Sequence, residues 1–124
     1  YNNNTVATGL PTYGANDIIG IAADLDNSKI YFHKNGTYIN SGVPTSGSTG
    51  TGAYALTANT TYLFGSSTNY TNGKVSWNFG NGYFGTTAVT SAQSPDDGNG
   101  IFEYDVPAGY RALCTKSLNA EEYS

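Results

Sequence analysis

Four Asn-Gly dipeptides, at 35–36, 72–73, 81–82 and 99–100, constrain this chain more than any other feature. Asn and Gly adopt the left-handed backbone that a two-residue hairpin turn requires, so Asn-Gly between apolar stretches is the strongest short-range hairpin signal. The segments between such turns alternate with period two. Lys74-Val75-Ser76-Trp77-Asn78-Phe79 is the clearest and places Val75, Trp77 and Phe79 on one face. No window of ten or more residues carries apolar side chains at helical spacing, and only 117–123 has room for a helical turn or two. The pattern predicts an all-β fold.

Near the start, Asp17 to Ala23 is a nearly continuous apolar run of strand length, bounded by polar residues. Asp24 to Ser28 is turn chemistry, and Lys29 to His33 is the return strand, with Ile30 and Phe32 on one face and Tyr31 and His33 on the other. Lys34 to Thr37 turns again, and Tyr38 and Ile39 open a third strand. Three consecutive strands make an antiparallel meander. Residues 1–16 read as a loop or edge segment, and the Gly/Ser/Thr tract of 40–53 as a mobile loop. Further strands are expected at 54–56, 61–66, 101–104 and, after the turn at 107–110, at 111–114. The stretch 80–100 is long for a loop, so 86–90 is expected to pair somewhere. The expected core combines Ile19, Ile21, Ile30 and Phe32 with Val75, Trp77 and Phe79. A chain of 124 residues is one domain's worth.

Composition narrows the function classes. Gly, Ser, Thr and Asn supply 57 of the 124 residues, while aromatic residues reach 14%. Disordered chains are poor in aromatics, so this polarity belongs to an ordered, turn-rich protein. Lys and Arg total five against nine acids, for a net charge of −4. A phosphate-binding face needs clustered cations, so the expectation is no nucleic acid. No apolar run approaches the length of a membrane helix, so no membrane insertion is expected. The single cysteine, Cys114, cannot close an internal disulfide or a cysteine-based zinc site. The chain opens Tyr1-Asn2-Asn3-Asn4 and has no methionine, which reads as a processed product or a portion of something longer.

Three blocks in order carry a family resemblance. Asn16-Asp17-Ile18-Ile19-Gly20-Ile21-Ala22-Ala23-Asp24-Leu25-Asp26 leads to Lys29-Ile30-Tyr31-Phe32-His33-Lys34-Asn35-Gly36, within 13–39. Val75-Ser76-Trp77-Asn78-Phe79-Gly80 follows, within 74–80. Pro107-Ala108-Gly109-Tyr110-Arg111-Ala112-Leu113-Cys114-Thr115 closes, within 107–118. Together they resemble the second half of a SPRY (B30.2) domain of the kind found in bacteriophage and environmental viral structural proteins. The resemblance implies an antiparallel β-sandwich of the concanavalin-like jelly-roll type, here lacking its N-terminal strands. It implies a non-enzymatic protein-binding or structural module, with no cofactor, at the surface of a virion as part of a fibre, tail or capsid decoration, or otherwise extracellular. The missing strands imply that neighbouring subunits or further chain complete the sheet. No binding residue carries over, because the matched positions match as scaffold.

Residue chemistry adds few candidates. Asp24 and Asp26 lie two apart and could chelate Ca²⁺ with Asn27; the expectation is that they serve the turn and that no metal is required. His33, the only histidine, is expected to pack rather than catalyse, and Cys114 to be buried in the closing strand. Asp17, Glu103 and Asp105 lack any spacing that would pair them as glycosidase carboxylates. Tyr13, Tyr54, Tyr70 and Tyr83 sit among small polar residues, a composition favoured in binding loops. With Lys34 and Asn35 they are the expected partner-binding residues, within loops around 34–36, 42–52 and 82–100. The alternative to a protein partner is a host surface glycan, bound in the manner of a lectin by Tyr and Trp platforms.

Overall fold

The computed structural model describes residues 9–122, with side chains described as far as 119. Antiparallel strands dominate the regular structure, and one short helix follows them. The chain divides into two compact units, 1–60 and 61–124.

In the first unit, β1 (Ile19–Asp24), β2 (Lys29–Lys34), β3 (Thr37–Tyr38) and β4 (Tyr54–Ala55) form one antiparallel sheet. β2 is central. β1 lies along one side of it, while β3 and β4 share the other. The β2–β3 turn is the expected Asn-Gly pair: Asn35 and Gly36 both have positive φ, 50° and 84°. The β1–β2 turn is held by Asp24, whose carboxylate accepts the Asn27 backbone N–H at 3.0 Å and its side-chain amide at 2.8 Å. The meander is therefore as the sequence predicts.

The register pairs Gly20 with His33, Ala22 with Tyr31, and Ile21 with Phe32. One face thus carries Gly20, Ala22, Tyr31 and His33. The other carries Ile19, Ile21, Ala23, Ile30 and Phe32. The first face is the buried one: Tyr31 is 1% exposed, Ala22 6% and His33 9%. The tract 40–53, expected as a mobile partner-facing loop, is folded down as its cover. Two short 3₁₀ segments, Ile39–Ser41 and Pro44–Thr49, shape it. Val43 N–H donates to the Thr51 carbonyl at 2.9 Å, Thr51 N–H donates to Ser46 Oγ at 2.9 Å, and the Ser46 and Tyr31 hydroxyls meet at 3.3 Å. Pro44 is buried within it. Glycine makes the close packing possible. A methyl group on Gly52, which has φ +67°, would lie 2.4 Å from the Asn40 carbonyl oxygen and 2.6 Å from the Gly42 Cα.

This arrangement reverses the expected core. Ile19 and Ile21 are exposed, at 41% and 38%, and Ile30 and Phe32 are only half-buried. Alternation along a strand fixes which side chains share a face, not which face is covered. His33 fills the space above Gly20, Tyr31, the register partner of Ala22, packs beside Gly42 of the tract, and that side receives the cover.

The second unit has little regular pairing. β5 (Tyr83–Phe84) and β6 (Thr87–Ala88) form a hairpin, so the expected pairing within 86–90 is present. Isolated bridges join Asn81 to Ile101 and Gln93 to Phe102, in place of the expected strand at 101–104. Asn78 organises the crossing: its Oδ1 accepts the N–H groups of Gly80 (2.7 Å) and Gly82 (3.3 Å), and its Nδ2 donates to the Ile101 carbonyl at 3.0 Å. Ala112 is buried where Gly80, Gly100 and Phe102 converge.

The expected strands at 61–66 and 74–79 carry no strand pairing. Val75, Trp77 and Phe79, expected in the core, are each more than a third exposed. The alternation does bring the Trp77 and Phe79 rings together. Trp77 stacks on Phe79 at 5.5 Å, and Phe64 meets Phe79 at 6.3 Å. Among the described residues no strand pairs with this segment, so it gathers an aromatic cluster but builds no sheet layer. The expected strand at 111–114 is also absent. The chain turns there into α1 (Thr115–Glu122), whose first turn begins with Leu118 N–H donating to the Cys114 carbonyl at 3.0 Å.

Candidate interaction surface

Of the expected partner-binding residues, three come together. Asp17 gathers them at the end of the sheet where β1 begins and β2 ends. Its carboxylate accepts the Gly14 N–H at 2.8 Å, the Asn35 Nδ2 at 2.7 Å and the Lys34 ammonium at 3.0 Å. Lys34 Nζ also donates to the Thr12 carbonyl at 2.7 Å, and Ile18 N–H donates to Asn35 Oδ1 at 2.8 Å. Lys34 and Asn35 therefore strap the 12–18 segment to the sheet, and Tyr13 is presented from that segment, 65% exposed. Beside the strap lies an open depression of about 400 Å³, walled by Pro11, Lys34, Thr37, Tyr38 and Ile39 and mostly apolar.

The remaining candidates lie elsewhere. Tyr54 sits on β4 opposite Ile30, with its ring 5.9 Å from Phe32, so it packs on the sheet. Tyr70 stands on the turn around 68–73 at 84% exposure, and Tyr83 projects half-exposed from β5.

Three hydrogen-bond donors on one carboxylate stabilise its anion. The Gly14 N–H, then Asn35 and then Lys34 hold the Asp17 carboxyl down at about 2, against an ordinary 3.8. A depressed acid stabilises the folded form only while ionised. The strap is therefore intact above the ordinary carboxylate range and is lost as pH falls from 3.8 towards 2. An NMR titration should show the Gly14 and Ile18 amide signals moving together at that low midpoint. Asn35→Ala should raise the midpoint by removing a donor. A midpoint near 3.8 in the unsubstituted chain would contradict the strap.

The catalytic and metal candidates have other duties. Among the described residues no group of three or more His, Cys, Asp or Glu lies close enough to hold a metal ion. Asp24 is committed to its turn, as described above, and Asp26 is exposed. His33 is buried, and burial pushes its pKa down. Its Nδ1 accepts the Gly36 N–H at 3.2 Å, its ring meets Tyr38 edge-on at 5.4 Å, and it occupies the space that a side chain on Gly20 would need. Glu103 accepts the Thr90 hydroxyl and backbone N–H, which lower its pKa and tie 90 to 103.

Cys114 departs most from its expected place. It is half-exposed rather than buried, immediately before α1. The Ser117 hydroxyl and the Ser117 and Lys116 backbone N–H groups stabilise its thiolate and lower its pKa, while partial desolvation and then the Asp97 carboxylate oppose them. Ser117 itself is 2% exposed, with its hydroxyl 3.5 Å from the Cys114 sulfur and 3.4 Å from Asp97. Cys is not among the preferred N-cap residues, so nothing in the sequence marks this arrangement. Thiolate absorbance should titrate below the midpoint of an unstructured cysteine. Ser117→Ala should raise that midpoint and Asp97→Asn lower it further; the reverse order would contradict the geometry.

No helix among the described residues is long and apolar enough to cross a membrane. Comparison with known proteins returns no matching family, no matching curated protein and no matching solved structure.

Proposed function

We propose that this chain is a non-enzymatic, SPRY-like β-sandwich module that binds protein as a structural part of a phage particle. The single observation that carries the binding reading is the exposure of Tyr13, Tyr70 and Tyr83 among small polar residues. Tyrosine offers rigid, amphipathic contact area at little entropic cost, and Gly, Ser and Asn around it adapt their hydrogen bonding to a partner. The β1–β2–β3 meander, with its Asn-Gly turn, supports the SPRY-like part of the reading.

A lectin-like module is the second reading, favoured by the stacked and exposed Trp77 and Phe79. Purified virus particles from the source of the sequence test the first reading. Mass spectrometry should recover peptides of this chain from intact particles, and a glycan array should give no signal with the chain alone. A specific glycan signal abolished by Trp77→Ala would replace the first reading with the second.

A further inference from the structure

We infer that the outer edge of β1 is a self-pairing interface, at which a second copy of this chain adds its own β1 antiparallel, centred on Ile21. The backbone geometry identifies the edge. Asn35 N–H donates to the Ile18 carbonyl at 2.8 Å, so Ile18 and Asn35 form a hydrogen-bonded pair. In an antiparallel ladder such pairs alternate, which turns the backbone of Gly20, Ala22 and Asp24 towards β2. The N–H and C=O groups of Ile19, Ile21 and Ala23 then point away from β2. Among the described residues no strand pairs with that side. The edge also lacks the usual guards: from Ile18 to Ala23 there is no proline and no charge, and its pairing with β2 runs without a bulge.

The sequence of the edge favours a second copy as its occupant. Centred on Ile21, antiparallel pairing sets Ile21 opposite itself and Ile19 opposite Ala23 of the other copy. All of these lie on the half-open apolar face, so the stripe that includes Ile30 and Phe32 continues across the two-fold axis. Charge agrees with this register. Asp17 falls opposite Leu25, and Asp24 opposite Ile18. Asp17 and Asp24 project to opposite faces, and Asp17 is already paired with Lys34. A chain of net charge −4 thus meets its copy through a neutral segment. The inference does not depend on the phage reading, because it concerns the strand and not the setting.

Sedimentation velocity of the 124-residue chain over a range of concentrations, combined with amide hydrogen exchange, tests it. The expected result is a monomer–dimer equilibrium in which the Ile19, Ile21 and Ala23 amides gain protection as dimer forms. Ile21→Pro removes an outward N–H, and Ile21→Lys places a charge on the two-fold axis. Each should weaken the dimer by about tenfold or more in Kd. Ile21→Lys keeps every backbone hydrogen bond, so it tests the interface even if Ile21→Pro fails to fold. A chain that stays monomeric at millimolar concentration overturns the inference. So does a monomer in which these amides are already protected, since the chain's own residues then cover the edge. A dimer indifferent to Ile21→Lys overturns it as well.

Discussion

Tyr31→Ala is expected to cost about 3–5 kcal/mol of stability, the usual range for deleting a buried aromatic side chain. Tyr31 is the largest fully buried side chain among the described residues, at 1% exposure. Its ring lies between the small side of β1, where Ala22 is its register partner, and the 39–53 cover. Neither side can close the gap. β1 is held by its ladder to β2, and the cover is held by its own backbone bonds. The hydroxyl adds a smaller loss, because Ser46 gives up a partner. Tyr31→Phe separates the two effects and should cost only about 0.5–1.5 kcal/mol. Urea denaturation of the three proteins measures both differences. An unchanged midpoint in Tyr31→Ala would mean that the buried face is not the core of this unit.

Gly52→Ala is the second large effect, expected at about 2–4 kcal/mol. Two causes act together. The backbone at φ +67° disfavours any L side chain, and the added methyl would press on the Asn40 carbonyl and on the Gly42 backbone. Backbone cannot turn aside as a long side chain does. Gly109→Ala isolates the first cause, because Gly109 has φ +82° with nothing within 4 Å of the added carbon. It should cost about 1–2 kcal/mol. If the two substitutions prove equal, residues 40, 42 and 52 do not touch as described.

What is legible in this fold is what local chemistry writes. Asn35-Gly36 specifies a two-residue turn by itself, and Asp24 with Asn27 specifies another, so the meander follows from neighbours in sequence. The cover over Tyr31 was illegible for the same reason that it works. Glycine, serine and threonine read as loop, yet here glycine lets backbones touch, and no periodicity records such a contact. Val75, Trp77 and Phe79 show the opposite error. Their alternation is real and brings the Trp77 and Phe79 rings together, but a strand also needs a neighbour, and alternation says nothing about one. At the candidate surface, Lys34 and Asn35 were legible as polar turn residues. Their attachment to Asp17, 17 or 18 positions earlier, depended on tertiary closeness. Sequence therefore pointed them outward, whereas the structure spends their hydrogen bonds on the chain itself.

The close contact of Gly42 and Gly52 also decides where new sequence can be inserted into this scaffold. The stretch between them has the look of a graft site, being low in complexity and rich in serine. It is a poor one, since a peptide spliced there would pry the touching backbones away from each other and uncover the aromatic ring beneath. The turn carrying Tyr70 is the better place for a displayed epitope or a randomised library. Tyr70 stands clear in solvent, and among the described residues its hydrogen bonds stay within the turn, to Thr68 and Gly73.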